Sequence, residues 1–85
     1  MKILVTGGSG FTGMALVKQL VARGDSVVVF DIGISEPLQS IMDNSGNVAA
    51  VVGDITSSPQ ILQAFKAHSP DAVIHLAAAV GAGPT

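Results

Sequence analysis

The chain has 85 residues, 48% of them hydrophobic and only 12% charged, with a formal net charge of −2 and no cysteine. Its basic residues, Lys2, Lys18, Arg23 and Lys66, are too scattered to build a nucleic-acid surface, and without thiols there are neither disulfides nor thiolate metal sites. No stretch approaches the ~20 apolar residues of a membrane span, and the apolar run after Lys2 is too short for a signal-peptide core, so a cytoplasmic protein with no membrane partner is expected.

The charged fraction is about half of the ~25% usual in soluble domains, which is the composition of an interior. A chain this short buries little more than ~60% of its surface, so further chain or a partner is expected to cover the apolar remainder.

Residues Lys2-Ile3-Leu4-Val5-Thr6 read as a first strand, apolar on both faces as a central parallel strand is. The run stops at Gly7-Gly8-Ser9-Gly10-Phe11-Thr12-Gly13 and resumes with helical periodicity. The helix should run from Phe11 to Arg23, with Met14, Val17, Leu20 and Val21 inward and Lys18, Gln19 and Arg23 outward. Gly24 then supplies a left-handed cap.

Between that strand and that helix lies a candidate phosphate site. The first four N–H groups of a helix have no internal partner and carry the positive end of the helix dipole, so an anion is stabilised there without basic side chains. Read from Gly8 the spacing is G-x-G-x-x-G, and from Gly7 it is G-x-x-G-x-x-G. Gly7 would take the tight turn, Gly10 would let a pyrophosphate approach the main chain, and Gly13 would allow close packing of helix on sheet. The plainer alternative is a glycine-rich loop without a ligand. A nucleotide triphosphatase loop is excluded, because Met14 and Ala15 stand where Lys and Ser or Thr are needed.

Asp25 and Ser26 turn the chain into a second strand, Val27-Val28-Val29-Phe30, which ends at Asp31. Asp31 lies 18 residues beyond Gly13, close to the ~20 at which a carboxylate meets the adenosine ribose of a dinucleotide. A carboxylate there accepts from the ribose hydroxyls and repels a 2′-phosphate, and Ile32-Gly33-Ile34-Ser35 offers no cation to one, so NAD is expected over NADP. The alternative for Asp31 is a turn residue capping the next segment.

Ser35-Glu36-Pro37 opens either a short helix through Leu38, Ile41 and Met42 that closes at Asn44 to Gly46, or a loop with one helical turn. Val48-Ala49-Ala50-Val51-Val52 is a third strand, stopped by Gly53-Asp54. Ser58-Pro59 reads as an N-cap followed by a first-turn proline, starting a helix whose Ile61, Leu62 and Phe65 share a face. After Ser69-Pro70, Asp71 to Ala77 form a fourth strand running into Ala78, Ala79, Gly81 and Gly83.

This order predicts an α/β fold: a Rossmann-type doubly wound parallel sheet, here partial, of about four strands in the order 3-2-1-4. Ligands bind such sheets where the strand order reverses, which would bring Gly7 to Gly13, Asp31, Asp54 and Leu76 to Ala78 to one carboxyl edge.

Taken together, Thr6 to Gly13, Asp31, Gly53-Asp54-Ile55-Thr56 and His75-Leu76-Ala77-Ala78 resemble the extended short-chain dehydrogenase/reductase family, the NAD-dependent epimerases and dehydratases of nucleotide sugars. The resemblance covers essentially the whole chain. It implies that Gly7, Gly10, Phe11, Thr12 and Gly13 surround the pyrophosphate of NAD, with the Phe11 and Thr12 amides as donors. It further implies that Asp31 holds the ribose, that Asp54 and the main chain of Ile55 meet the adenine edge, and that Leu76, Ala77 and Ala78 pass under the nicotinamide. Without the resemblance, Asp54 reads equally well as a turn residue at a strand end. His75 is expected to pack in the interior with its ring nitrogens satisfied, and His68 to serve the dipole of a helix end. Neither has metal-ligand company, so no metal site is expected.

Members of the family also use a Tyr, a Lys four residues on, and a Ser or Thr, the lysine lowering the tyrosine pKa so that it exchanges a proton while hydride moves. This chain has no tyrosine. The expectation is therefore an N-terminal part of an NAD-binding domain whose catalytic and substrate-binding parts are absent, not competent in catalysis alone. In the full-length protein the implied partner is a nucleotide sugar or a related small molecule, and a homodimer is compatible with the resemblance. The alternative is a non-catalytic dinucleotide-binding or sensing module.

Overall fold

The computed structural model describes residues 1–7, 10–54 and 56–76. Along them run β1 (Lys2–Thr6), α1 (Phe11–Ala22), β2 (Ser26–Asp31), α2 (Glu36–Asn44), β3 (Val48–Val52), α3 (Ser58–His68) and β4 (Ala72–His75). The strands form one parallel sheet in the order β3-β2-β1-β4, as the alternation of elements predicts. The register aligns His75, Thr6, Phe30 and Val51 in one row across all four strands. That row is the last full one before the chain leaves the sheet, so the loops after it share one edge.

Period-two alternation sends successive residues of each strand to opposite faces, and both faces are buried. On one face Ile3, Val5, Val27, Val29 and Val48 pack with Met14, Val17 and Leu20 of α1 and Leu38 of α2. On the other, Leu4, Val28 and Phe30 pack with Ala64 of α3. Burying a side chain of this size contributes roughly 1.5–3 kcal/mol against the entropy of ordering it. No helix among the described residues is long and apolar enough to cross a membrane.

The helix ends explain the element boundaries. At the end of α1 the Gly24 amide donates to the Val21 carbonyl (3.0 Å) and the Asp25 amide to that of Leu20 (3.0 Å). Gly24 has φ +90°, so this is a Schellman cap that only glycine adopts without strain. The last helical residue is accordingly Ala22, with Arg23 as C-cap rather than as part of the helix. Of the two readings of the segment after Asp31, the helix is the one found: the Ser35 hydroxyl accepts from the Leu38 amide at 3.4 Å, and Pro37 sits in the first turn of α2.

Four expectations are corrected. The cap of α3 is Ser57, not Ser58: its Oγ accepts from the Gln60 amide, which places Pro59 second in the helix. Leu62 and Phe65 do not join Ile61 at the sheet and are 55% and 41% exposed. The stripe that meets the sheet is the narrower pair Ile61 and Ala64, one turn apart, and Leu62 lies roughly 100° further round the helix than Ile61. The fourth strand is shorter than Asp71–Ala77, because Asp71 is spent in a turn, its carboxylate accepting from the Lys2 amide (2.8 Å) and its own amide donating to the Lys2 carbonyl (2.7 Å); its expected last residue, Ala77, lies outside the described residues, as do Ala78, Ala79, Gly81 and Gly83. His75 is exposed rather than interior, since it ends β4 on the carboxyl edge.

Candidate functional site

Three hydrogen-bonded contacts stitch the carboxyl edge together. The Gly7 amide donates to the Phe30 carbonyl at 2.9 Å, the Gly53 amide donates to the Asp31 carbonyl at 2.9 Å, and Thr6 Oγ1 lies 3.2 Å from His75 Nδ1. They bring the turns after β1, β2 and β3 and the end of β4 side by side, at the point where the strand order reverses.

At Gly7 the chain turns with φ +81°, a conformation that excludes other residues without strain. Gly10 follows with its amide directed at the Gly7 carbonyl (3.4 Å) and becomes the N-cap of α1, accepting the first helical hydrogen bond from Met14 (2.9 Å). Among the described residues no side chain caps this helix, and no acidic residue lies in its first turn. Phe11 and Thr12 are exposed while Gly13 is buried, so the helix opens onto solvent and closes onto the sheet within three residues.

Gly10 is the informative position. Its φ of −78° and ψ of 176° suit any residue, and among the described residues a Cβ added there would meet only the Gly7 carbonyl oxygen, at an ordinary 3.8 Å. Nothing among the described residues requires glycine there. A diphosphate drawn to the first amides of α1 would use the space a side chain would take. The residues present fit such a group. No lysine or arginine stands among these edge residues, so an anion would be held by main-chain donors and the helix dipole.

Gly53 is a glycine for the opposite reason. A Cβ there would stand 2.7 Å from Phe30 Cζ and 2.6 Å from Gln60 Oε1, so packing alone forbids one. This close approach sets the position of the next residue, Asp54.

Asp31 is half-buried, with Oδ1 accepting from the Ile32 amide at 2.7 Å. The bond holds the carboxylate at the end of β2, next to the Gly7 turn. Asp54 is exposed. Its Oδ1 accepts from the Thr56 hydroxyl (2.7 Å) and the Thr56 amide (2.9 Å), while its own amide donates to Gln60 Oε1 (2.7 Å). The Thr56 hydroxyl foremost, then the Thr56 amide, hold the Asp54 carboxyl below its ordinary value of 3.8.

Leu76 follows β4 half-buried against the α1 side of the core. Ile55, Ala77 and Ala78 lie outside the described residues. Gly7, Gly10, Phe11, Thr12, Gly13, Asp31, Asp54 and Leu76 thus share the edge that the sequence assigns them. Sequence reasoning missed the residues that brace this edge, Thr6, Thr56 and Gln60. A signal existed for Thr56, since Asp-x-Thr at a strand end is the pattern of a side-chain-closed turn.

A family model described as "NAD dependent epimerase/dehydratase family" matches residues 3–85. The dTDP-glucose 4,6-dehydratase 1 of Escherichia coli K12 is 43% identical over 83 residues, which is 92% of this chain but 23% of that protein. Among solved structures, dTDP-glucose 4,6-dehydratase of Bacillus anthracis in complex with NAD superposes with a TM-score of 0.78 at 27% identity, over 89% of this chain and 26% of that one. UDP-glucose 4-epimerase of Thermus thermophilus in complex with NAD gives 0.75 at 33% identity, over 89% and 24%. The chain therefore spans about a quarter of the length of the relatives it matches. Matched from its first strand onward by that model, the chain belongs to the NAD-dependent epimerase/dehydratase family.

Proposed function

We propose that residues 1–85 are the dinucleotide-binding portion of an NAD-dependent epimerase or dehydratase acting on a nucleotide sugar by hydride transfer. Gly7, Gly10, Phe11, Thr12 and Gly13 would surround the pyrophosphate, Asp31 would hold the adenosine ribose, and Asp54 with Ile55 would meet the adenine. Leu76, Ala77 and Ala78 would line the nicotinamide end. The observation that carries this reading is an N-terminus of α1 whose N-cap, Gly10, brings no side chain, fixed beside Asp31 by the Gly7–Phe30 hydrogen bond, with a glycine at position 10 that no described residue requires.

Bound there, NAD would supply the hydride acceptor and donor. The residues described here would bind and orient it. Asp31 would do so selectively, because a fixed carboxylate rewards a free ribose hydroxyl and repels a phosphate. With no tyrosine in the 85 residues, we assign proton exchange and sugar recognition to residues outside them. Calorimetric titration of the full chain tests the reading: saturable binding of NAD, tighter than that of NADP, is expected, and absence of NAD binding would overturn it.

A further inference from the structure

Thr56 spends both of its polar hydrogens on one atom. Its amide and its hydroxyl donate to Asp54 Oδ1, at 2.9 and 2.7 Å. The turn is braced from the helix side as well, because Gln60 Oε1 accepts the Asp54 amide at 2.7 Å and the Ser57 amide donates to the Asp54 carbonyl at 2.9 Å. Ser57 in turn caps α3. Asp54 is thus tied at its amide, its carbonyl and one carboxylate oxygen to α3 and its approach, and among the described residues the bonds of the turn to its carboxylate fall on Oδ1.

Such a carboxylate can only accept hydrogen bonds. A base whose edge presents an exocyclic amine gives it a donor; a base presenting a carbonyl oxygen at the same place sets two acceptors against each other, with no hydrogen bond to replace the water that the base displaces from this exposed carboxylate. The discrimination requires that the carboxylate stay in place, since a freely rotating one swings aside and lets water mediate. Thr56 removes that freedom.

We propose that Thr56 is a positioning residue that locks Asp54 so that the crevice selects a nucleotide base bearing an exocyclic amine over one bearing a carbonyl oxygen. The proposal rests on the reading of this edge as a dinucleotide site with Asp54 facing the base. It is tested by titrating the full chain with NAD and with its hypoxanthine analogue, in which the amine is replaced by a carbonyl. The native chain prefers NAD. Thr56→Val keeps the amide donor, loses the hydroxyl, and lowers NAD affinity by about tenfold while leaving the analogue unchanged; Thr56→Ser restores the native ratio. Equal losses for both ligands, an unaltered ratio, or failure of Thr56→Ser to restore it would overturn the role of Thr56 and leave NAD binding standing. A native chain that binds NAD with no preference over the analogue overturns the base-facing role of Asp54, and one that does not bind NAD overturns the functional reading as well.

Discussion

The Gly7 amide meets the Phe30 carbonyl at 2.9 Å, one residue short of Asp31. This bond continues the β1–β2 ladder one step past Thr6, whose partner in the register is also Phe30. The glycine turn and the carboxylate of the neighbouring strand are therefore held in a relation set by the sheet itself. A rigid scaffold fixes the distance between the two groups that would grip a diphosphate and a ribose.

The first consequence concerns Gly10. Serine is a better N-cap than glycine by a few tenths of a kcal/mol, and the space beside Gly10 admits its Cβ. Gly10→Ser should leave the thermal midpoint unchanged or slightly raised, while its hydroxyl takes up an amide and the space that the diphosphate needs. NAD affinity should fall by about tenfold or more. Differential scanning calorimetry alongside titration checks this divergence, and parallel loss of stability and binding would show that Gly10 serves packing.

Asp31→Ala should act on affinity and selectivity together. Hydrogen bonds to a charged acceptor contribute roughly 1.5–3 kcal/mol, so NAD affinity should fall by about one to two orders of magnitude. NADP affinity should fall less, because the repulsion of its 2′-phosphate disappears with the carboxylate. Competition between the two coenzymes in one titration reads the ratio directly, and an unchanged ratio would remove Asp31 from the ribose site.

Gly53→Ala tests the brace rather than the site. The added Cβ would stand 2.7 and 3.0 Å from the Phe30 ring and 2.6 Å from Gln60 Oε1. Phe30 is 1% exposed, so its ring can yield only by disturbing the packing of this face of the sheet. Overpacking of this kind costs about 1–3 kcal/mol, readable as a lowered denaturation midpoint. Phe30→Leu in the same chain should recover part of the loss, making the double variant less unstable than the sum of the single ones.

How much of this was legible in the sequence depends on the range of the interaction. The strands, the order 3-2-1-4 and the convergence of Gly7, Asp31 and Asp54 follow from periodicity and from the handedness of crossovers, which act on whole elements. The left-handed Gly24 was legible because a helix end needs one residue of a particular kind. Ser57 and Ser58 compete for one cap with the same side chain, and only the geometry of the turn from Asp54 decides between them. Leu62 and Phe65 satisfied a helical pattern, but the small Ala64 is what α3 sets against Leu4, Val28 and Phe30. The Asp-x-Thr spacing does carry a signal for the Thr56 bonds, whereas the Gln60 bond depends on a side-chain conformation that no spacing encodes. His75 failed as a core residue because its strand ends at His75 itself, two positions before the Ala77 that its apolar neighbours suggest, leaving the ring at the edge, where Nδ1 meets the Thr6 hydroxyl.

The Asp54 carboxyl gives a prediction in pH. The Thr56 hydroxyl and then the Thr56 amide favour its charged form, and the opposing effect of desolvation is the smallest of the three, so the group titrates below its ordinary 3.8 in the folded chain. A depressed folded value means that the charged arrangement is fully present above pH 3.8 and is lost as pH falls through the lower, folded value. Any part of coenzyme binding that depends on Asp54 should then be flat down to that region. Thr56→Val removes the larger cause and should move the midpoint back toward 3.8. Following the Asp54 carboxyl carbon by NMR through an acid titration of both proteins separates the two cases: a higher midpoint in the variant is expected, and coincident midpoints would mean that the hydroxyl does not hold the carboxylate in solution.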